Sequence, residues 1–153
     1  MKISLGSDHA GFELKEDLRA YLAEQKVEVI DLGVYKEEPV DYPDIGANVA
    51  QRVSRGEVDR GILVCGSGIG MSIVANRFPG VRAALCHDLS TARMCREHND
   101  ANLLILGGRL IGKGLGREIL KVWLEAEFQG GRHQRRLEKI RALEEKILRG
   151  TMN

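Results

Sequence analysis

Buried apolar runs alternate with amphipathic segments along most of the chain. Five runs rich in Val, Ile and Leu predict strands at about 2–6, 27–32, 60–65, 81–86 and 102–106. The segments that follow them place apolar residues at helical spacing and predict helices at about 12–26, 42–55, 69–77, 89–98 and 114–127. Strands that are apolar on both faces are typical of a parallel sheet covered by helices. We therefore expect a Rossmann-like three-layer α/β/α sandwich with a five-stranded parallel sheet.

A further helix is predicted over residues 132–148, after a break at Gly130-Gly131. It carries an apolar stripe at helical spacing, formed by Leu137, Ile140, Leu143 and Ile147. Five strand–helix units already complete a sandwich, so this helix needs another surface to cover. It could pack back on its own chain or on a neighbouring subunit. We expect one domain over 1–153, in which 130–153 is an extra C-terminal helix that packs on a partner subunit.

Composition and charge narrow the function classes. The 153 residues are 43% hydrophobic and 29% charged, as in ordinary globular domains, and the net charge of +1 gives no general attraction to nucleic acid or membranes. No apolar run reaches the roughly 18 residues of a membrane span, and the chain enters a strand pattern directly, without a signal-peptide layout. The three cysteines lack metal-ligand spacing. We expect reduced thiols, a cytoplasmic location and no metal.

The first candidate for chemistry is a glycine-rich turn after the third strand. Cys65 ends that strand, and Gly66, Ser67, Gly68, Ile69 and Gly70 lead into a helix. The GxGxG spacing is neither a dinucleotide fingerprint nor a P-loop. The turn is either a tight connection or a nest of backbone N–H groups that binds an anion. Cys65 is either an inert core residue or a thiolate stabilised by the helix N-terminus.

Other polar residues suit a site at the carboxyl ends of the strands or in the helices. Asp8 and His9 follow the first strand, where they either cap a turn or bind a ligand. His98 and Asn99 end the fourth helix, where a histidine either offsets the helix dipole or acts as a general acid. Arg132 and Arg136 share one face of the tail helix, which is either a solvated basic face or a clamp for a phosphate dianion.

Five motifs in order resemble the type B ribose-5-phosphate isomerase family, which also contains subunits of galactose-6-phosphate isomerase. They are residues 6–12 (GSDHAGF), 41–43 (DYP), 65–70 (CGSGIG), 97–102 (EHNDAN) and 130–133 (GGRH). The resemblance covers essentially the whole chain. It implies interconversion of ribose 5-phosphate and ribulose 5-phosphate through an enediolate, with no metal and no organic cofactor. It also implies a homodimer or homotetramer with active sites at the dimer interface.

The resemblance further implies a role for each matched residue. Cys65 matches the catalytic base and His98 the acid that opens the sugar ring. One branch of the family replaces this cysteine with a glutamate after the glycine turn, where this chain has Met71, so the chain resembles the cysteine branch. Substrate-binding positions are matched by Asp8, His9, Tyr42, Gly66, Ser67, Gly68, Ile69, Gly70, Asn99, Arg109, Arg132 and Arg136.

Three other functions remain open at this point. The substrate could be a six-carbon sugar phosphate, such as allose 6-phosphate or galactose 6-phosphate. The fold could serve a non-catalytic sensor of sugar phosphates or nucleotides. A cysteine hydrolase is the weakest alternative, because no histidine stands near Cys65 in sequence as an obvious activator.

Overall fold

All five predicted strands lie in one parallel sheet in the computed structural model of the protein, which describes residues 1–152. The strands are β1 (Lys2–Ser7), β2 (Glu28–Asp31), β3 (Arg60–Cys65), β4 (Ala83–Leu85) and β5 (Leu103–Gly107). The helices are α1 (Phe12–Glu24), α2 (Tyr42–Ser54), α3 (Ile69–Ala75), α4 (Leu89–Asn99), α5 (Lys113–Glu125) and α6 (Arg132–Leu148). A 3-10 turn, His9–Gly11, precedes α1. The predicted fold class is confirmed.

The strand order is β2-β1-β3-β5-β4, and every pairing is parallel. The chain moves outward from β1 to β2 and then returns to the other side of β1 with β3. In such sheets ligands bind where the order reverses, beyond the carboxyl ends of the two strands. The segments that follow β1 and β3 begin at Asp8 and Gly66, so the topology places both at this point.

Each face of the sheet has its own apolar core. Leu104 and Leu106 of β5 face a core shared with α1, α4 and α5, which includes the fully buried Trp123. Leu103 and Ile105 of the same strand face a second core shared with α2 and α3. Burial on both faces explains why the strands read as continuous apolar runs.

β4 is shorter than the predicted segment 81–86. The side chain of Asn76 forms hydrogen bonds with both backbone groups of Ala83. It donates to the carbonyl at 3.1 Å and accepts from the N–H at 3.0 Å. The side chain of Asn102 likewise accepts from the N–H of Arg82 at 2.8 Å. The Asn102 contact takes the place of strand pairing just before β4, and the Asn76 contacts cover the free edge of the strand at Ala83. The apolar pattern alone reveals neither.

A buried lysine fixes the segment after β2. Lys15 is fully buried, and its Nζ donates to both carboxylate oxygens of Asp31 (2.9 and 2.8 Å) and to the carbonyl of Val34 (2.7 Å). We expect Lys15→Met to lower the free energy of unfolding by about 2–3 kcal/mol, because a buried carbonyl and a carboxylate lose their donor. Urea denaturation measures this, with Lys121→Met on the exposed face of α5 as control. Equal stability of the two variants would contradict it.

α6 projects most of its surface into solvent. Its only buried residue is His133, and the stripe residues Ile140, Leu143 and Ile147 are 54, 47 and 58% exposed. One polar contact lies further along the helix, where the carboxylate of Glu144 accepts from the N–H of Gly80 at 3.0 Å. The chain itself therefore leaves the apolar stripe uncovered. Across residues 1–152, no helix combines the length and the hydrophobicity of a membrane span.

Candidate functional site

The Cys65 thiol lies at the end of β3 under the glycine turn. Its side chain is 4% exposed, and its Sγ accepts a hydrogen bond from the N–H of Gly68 at 3.2 Å. Gly68 has φ = 81°, a left-handed conformation that glycine adopts without strain, and this turns its N–H toward the sulfur. The turn therefore aims one backbone donor at the sulfur.

Two further backbone donors surround the thiol. The N–H groups of Gly66 and Ser67 make no hydrogen bond within residues 1–152, and both residues are half-buried. The hydroxyl of Ser67 instead accepts from the N–H of Ile69 at 3.3 Å, which stiffens the turn. The turn therefore offers free N–H groups to an oxyanion beside the sulfur.

Asp8 and His9 lie at the end of β1, next to this turn. Asp8 is buried, and its Oδ1 accepts from the N–H of Gly11 at 3.0 Å, so it does cap the 3-10 turn. Its backbone N–H also donates to the carbonyl of Val64, one residue before the thiol. His9 accepts from the N–H of Val40 through Nδ1 at 3.4 Å. That bond fixes the tautomer with the proton on Nε2, which can donate to a ligand.

Tyr42 and Arg109 close two sides of the turn. The Tyr42 ring lies so near Gly70 that a Cβ there would sit 2.5 Å from Cζ, so any other residue at position 70 would push the ring away. The Arg109 N–H donates to the carbonyl of Gly66 at 3.0 Å, and its guanidinium lies over Gly66. No carboxylate in the described part of the chain pairs with Arg109, so this charge is available to an anion.

His98 and Asn99 lie at the opposite end of the sheet, where the strands begin. α4 starts beyond the carboxyl end of β4 and runs back to the amino ends of the strands. The Asn99 carbonyl there accepts from Nε of Arg82, just before β4, at 3.1 Å. This end of the sheet is separated from Cys65 by the length of β3, about 20 Å for six residues. The structure therefore does not bring His98 and Cys65 together within one chain.

Arg132 and Arg136, at the start of α6, lie on the same side of the molecule as His98. The imidazole rings of His98 and His133 stack at 4.3 Å between centroids with 10° between planes, which anchors the start of α6 on the end of α4. Arg132 and Arg136 flank His133 on the exposed surface, and neither has a carboxylate partner among residues 1–152. One chain thus presents two half-sites. The thiol half-site contains Asp8, His9, Tyr42, Cys65, Gly66–Gly70 and Arg109, and the arginine half-site contains His98, Asn99, Arg132 and Arg136.

Comparison with known proteins identifies the family to which these half-sites belong. The model of the family described as Ribose/Galactose Isomerase matches residues 3–140. The chain belongs to this family. Ribose-5-phosphate isomerase B of Escherichia coli (strain K12) is 48% identical over 145 residues, which cover 95% of this chain and 97% of that protein.

Solved structures of the ribose/galactose isomerase family share the fold. Clostridium thermocellum ribose-5-phosphate isomerase B superposes with a TM-score of 0.94 at 53% identity, over 96% of this chain and 99% of that one. Ribose-5-phosphate isomerase B of Mycoplasma genitalium, solved with bound ribulose-5-phosphate, gives a TM-score of 0.91 at 39% identity, over 95% and 97% of the two chains.

His133 is a feature of the arginine half-site that sequence reasoning missed. It appears in the motif at residues 130–133, but its neighbours Arg132 and Arg136 drew attention as the charged pair. Its side chain is 6% exposed, and its Nε2 has no hydrogen-bond partner within residues 1–152. Burial lowers the pKa of His133, and the nearby positive charges of His98, Arg132 and Arg136 lower it further.

The lowered pKa of His133 predicts acid sensitivity of the fold. Below about pH 6.5 the unfolded chain binds a proton at this residue that the folded chain still excludes, so stability falls as pH drops. We expect the thermal midpoint to fall between pH 7.5 and 5.5, and His133→Gln to reduce that fall. Thermal unfolding at both pH values measures it, with His87→Gln at an exposed site as control. An unchanged pH response in His133→Gln would contradict the prediction.

Proposed function

We propose that the protein interconverts ribose 5-phosphate and ribulose 5-phosphate. The observation that carries this proposal is the Cys65 thiol, held by the N–H of Gly68 beside the unoccupied N–H groups of Gly66 and Ser67. A base next to an oxyanion nest suits removal of a proton from a carbon beside a carbonyl. Relatives named for this isomerisation, across nearly the whole chain, support the same substrate.

We further propose that two subunits form each active site. The thiol half-site carries the proposed base and one free arginine, whereas the arginine half-site carries the proposed acid His98 and two arginines. Because the two half-sites of one chain lie at opposite ends of the sheet, a partner subunit must bring its arginine half-site to the thiol half-site. The uncovered stripe on α6 gives that partner an apolar surface to bury. The assembly is a homodimer, or a homotetramer built of dimers.

Ring opening comes first, because ribose 5-phosphate is mostly a closed furanose. His98 of one subunit donates a proton to the ring oxygen. Asp8 of the other subunit accepts the proton of the anomeric hydroxyl, using the carboxylate oxygen that does not cap the 3-10 turn. The product is the open-chain aldehyde, with C2 beside the sulfur of Cys65.

Isomerisation follows at C1 and C2. The Cys65 thiolate removes the proton from C2, and the resulting enediolate oxygen binds the N–H groups of Gly66 and Ser67. One such donor typically contributes about 3 kcal/mol to the transition state. The thiol then returns the proton to C1, while the hydroxyl proton passes from O2 to O1, which gives the ketose. A thiol suits both transfers because the same sulfur can take a proton from one carbon and return it to the next.

The phosphate binds the cationic residues of both half-sites. Arg132 and Arg136 clamp it from one subunit, and Arg109 and His9 reach it from the other. Guanidinium groups bind phosphate oxygens through two parallel hydrogen bonds, so the clamp fixes orientation as well as position. Tyr42, which lies on Gly70, and Asn99 border the sugar hydroxyls.

Turnover of defined substrates tests the proposal. The purified protein is incubated with ribose 5-phosphate, allose 6-phosphate and galactose 6-phosphate in the presence of a chelator, and ketose formation is followed by absorbance. We expect the highest kcat/KM with ribose 5-phosphate and no effect of the chelator. Preference for a six-carbon substrate would replace the proposed substrate but keep the reaction. Binding of all three without turnover would indicate a sensor instead.

A further inference from the structure

A second thiol site lies outside the catalytic half-sites. Cys86 follows β4 and Cys95 lies in α4, and both face the core shared with α5. Their sulfur atoms are 3.9 Å apart, with the thiol of Cys86 donating to the sulfur of Cys95. We propose that Cys86 and Cys95 form a redox-active dithiol that a peroxide converts into an intramolecular disulfide.

The surroundings assign a different role to each sulfur. The hydrogen bond from Cys86 lowers the pKa of the Cys95 thiol, and the positive charges of Arg96 and Arg60 lower it further. The same pairing and burial raise the pKa of Cys86. Cys95, whose thiol donates to the carbonyl of Ala92 at 3.3 Å, is therefore the more readily ionised of the two cysteines. Two guanidiniums beside one buried sulfur form the electropositive environment typical of reactive cysteines.

Contacts with the protein hold the guanidinium groups of Arg96 and Arg60 in place. Arg96 is buried and donates through Nη1 to the Asp100 carboxylate and the Ala101 carbonyl, both at 2.8 Å, while its Nε has no partner within residues 1–152. Arg60 stacks on the Trp123 ring, with its Cζ 5.0 Å from the ring centroid. Cys95 is 9% exposed and Cys86 only 1%, so a small oxidant in solvent meets Cys95 first.

The chemistry balances with hydrogen peroxide as oxidant. The Cys95 thiolate attacks one peroxide oxygen, the O–O bond breaks, and the leaving hydroxide takes a proton to become water. The resulting sulfenic acid is then attacked by the sulfur of Cys86, whose proton leaves with the hydroxyl as a second water. Two thiols lose two electrons to one peroxide, and a sulfur–sulfur bond forms.

Disulfide formation should also displace residues of the arginine half-site. The sulfur atoms must approach from 3.9 Å to about 2.05 Å, so α4 shifts relative to β4. His98 and Asn99 lie one turn of α4 beyond Cys95, and a displacement of about 1 Å in such a group can lower turnover about 100-fold. Oxidation should therefore lower isomerase activity, a consequence that rests on the proposed function, whereas disulfide formation does not.

Thiol chemistry tests the dithiol without any assay of activity. The protein is treated with a small excess of hydrogen peroxide, denatured, alkylated and digested, and the peptides are identified by mass spectrometry. We expect a linked peptide pair containing Cys86 and Cys95, with the mass of two hydrogens lost, while Cys65 remains alkylated in most molecules. Alkylation of both Cys86 and Cys95 in protein whose Cys65 is oxidised would overturn the proposal, as would a disulfide between subunits.

Two variants test which of the two cysteines is oxidised first. In Cys86→Ala, Cys95 should accumulate as a sulfenic acid that dimedone traps, and in Cys95→Ala, Cys86 should stay reduced. Trp123 is the only tryptophan of the chain and lies beside Cys95, so its fluorescence should change on oxidation of the native protein and recover with dithiothreitol. A sulfenic acid on Cys86 in Cys95→Ala, formed at the native rate, would contradict the assignment.

Activity after oxidation is then compared between the native protein and Cys86→Ala, since both retain Cys65. We expect at least a tenfold loss in the native protein, reversed by dithiothreitol, and a much smaller loss in Cys86→Ala, where α4 does not move. An equal loss in both would place the inhibition at Cys65 and refute the link to α4. No activity before oxidation would instead refute the proposed function and leave the mass measurement unaffected.

Discussion

Cys65→Ala is expected to lower kcat for ribose 5-phosphate by about 10³-fold with little change in KM, because it removes a base and no phosphate contact. The thiol is buried under the glycine turn, and the removed sulfur leaves the N–H of Gly68 without its acceptor. Some stability is therefore lost, but the β-carbon still fills part of the space. Steady-state kinetics measures the effect, with thermal unfolding of the same sample to verify that the variant is folded.

Cys86→Ala is the matched control for this prediction. It removes another buried thiol, which follows β4 and belongs to neither half-site. Its kcat should stay within about twofold of the native value under reducing conditions. If Cys65→Ala retained near-native kcat, the proton transfer would have to be assigned to another residue.

The double variant Arg132→Ala/Arg136→Ala is expected to lower kcat/KM by about 10²–10⁴-fold, mostly through KM. Each arginine contributes a charge-assisted hydrogen bond to phosphate, worth about 1.5–3 kcal/mol, and the effects of the pair combine. Because both side chains are exposed in the isolated chain, their loss should leave the unfolding midpoint unchanged. Kinetics with ribose 5-phosphate measures the change.

Arg141→Ala provides the control on the same helix. Arg141 lies nine positions after Arg132, on the opposite face of α6, where it pairs with Glu145 at 3.5 Å. This variant loses one positive charge but no proposed phosphate contact, so its kcat/KM should be near native. Equal losses in the two variants would indicate a general charge effect rather than a clamp.

Most of the fold could be predicted from the sequence because its signals are local. The apolar runs identified all five strands, and Pro43 marked the first turn of α2. The start of β4 was predicted too early because the side chain of Asn102 takes the N–H of Arg82, and such a polar contact leaves no periodic trace in the sequence. The helix boundaries differ from the predicted ones by at most two residues.

The site could be predicted only in part, because it depends on contacts between distant segments. The glycine turn was recognised from spacing, and its left-handed Gly68 explains why the residue type matters. The separation of Cys65 from His98 follows from the direction of α4, which sequence motifs alone do not convey. The motifs predict neither the stacking of His133 on His98 nor the approach of Cys86 to Cys95, because both are side-chain contacts between different segments.

Complementation between two inactive variants tests the shared active site most directly. Cys65→Ala disables the thiol half-site, and His98→Asn disables the arginine half-site. Coexpression with two different tags allows mixed dimers to be purified. Each mixed dimer should contain one intact site and one doubly impaired site, so the purified mixed dimers should regain up to about half of native activity. If each active site were built from one chain, every site would carry a defect, and the mixture would stay as inactive as its parents.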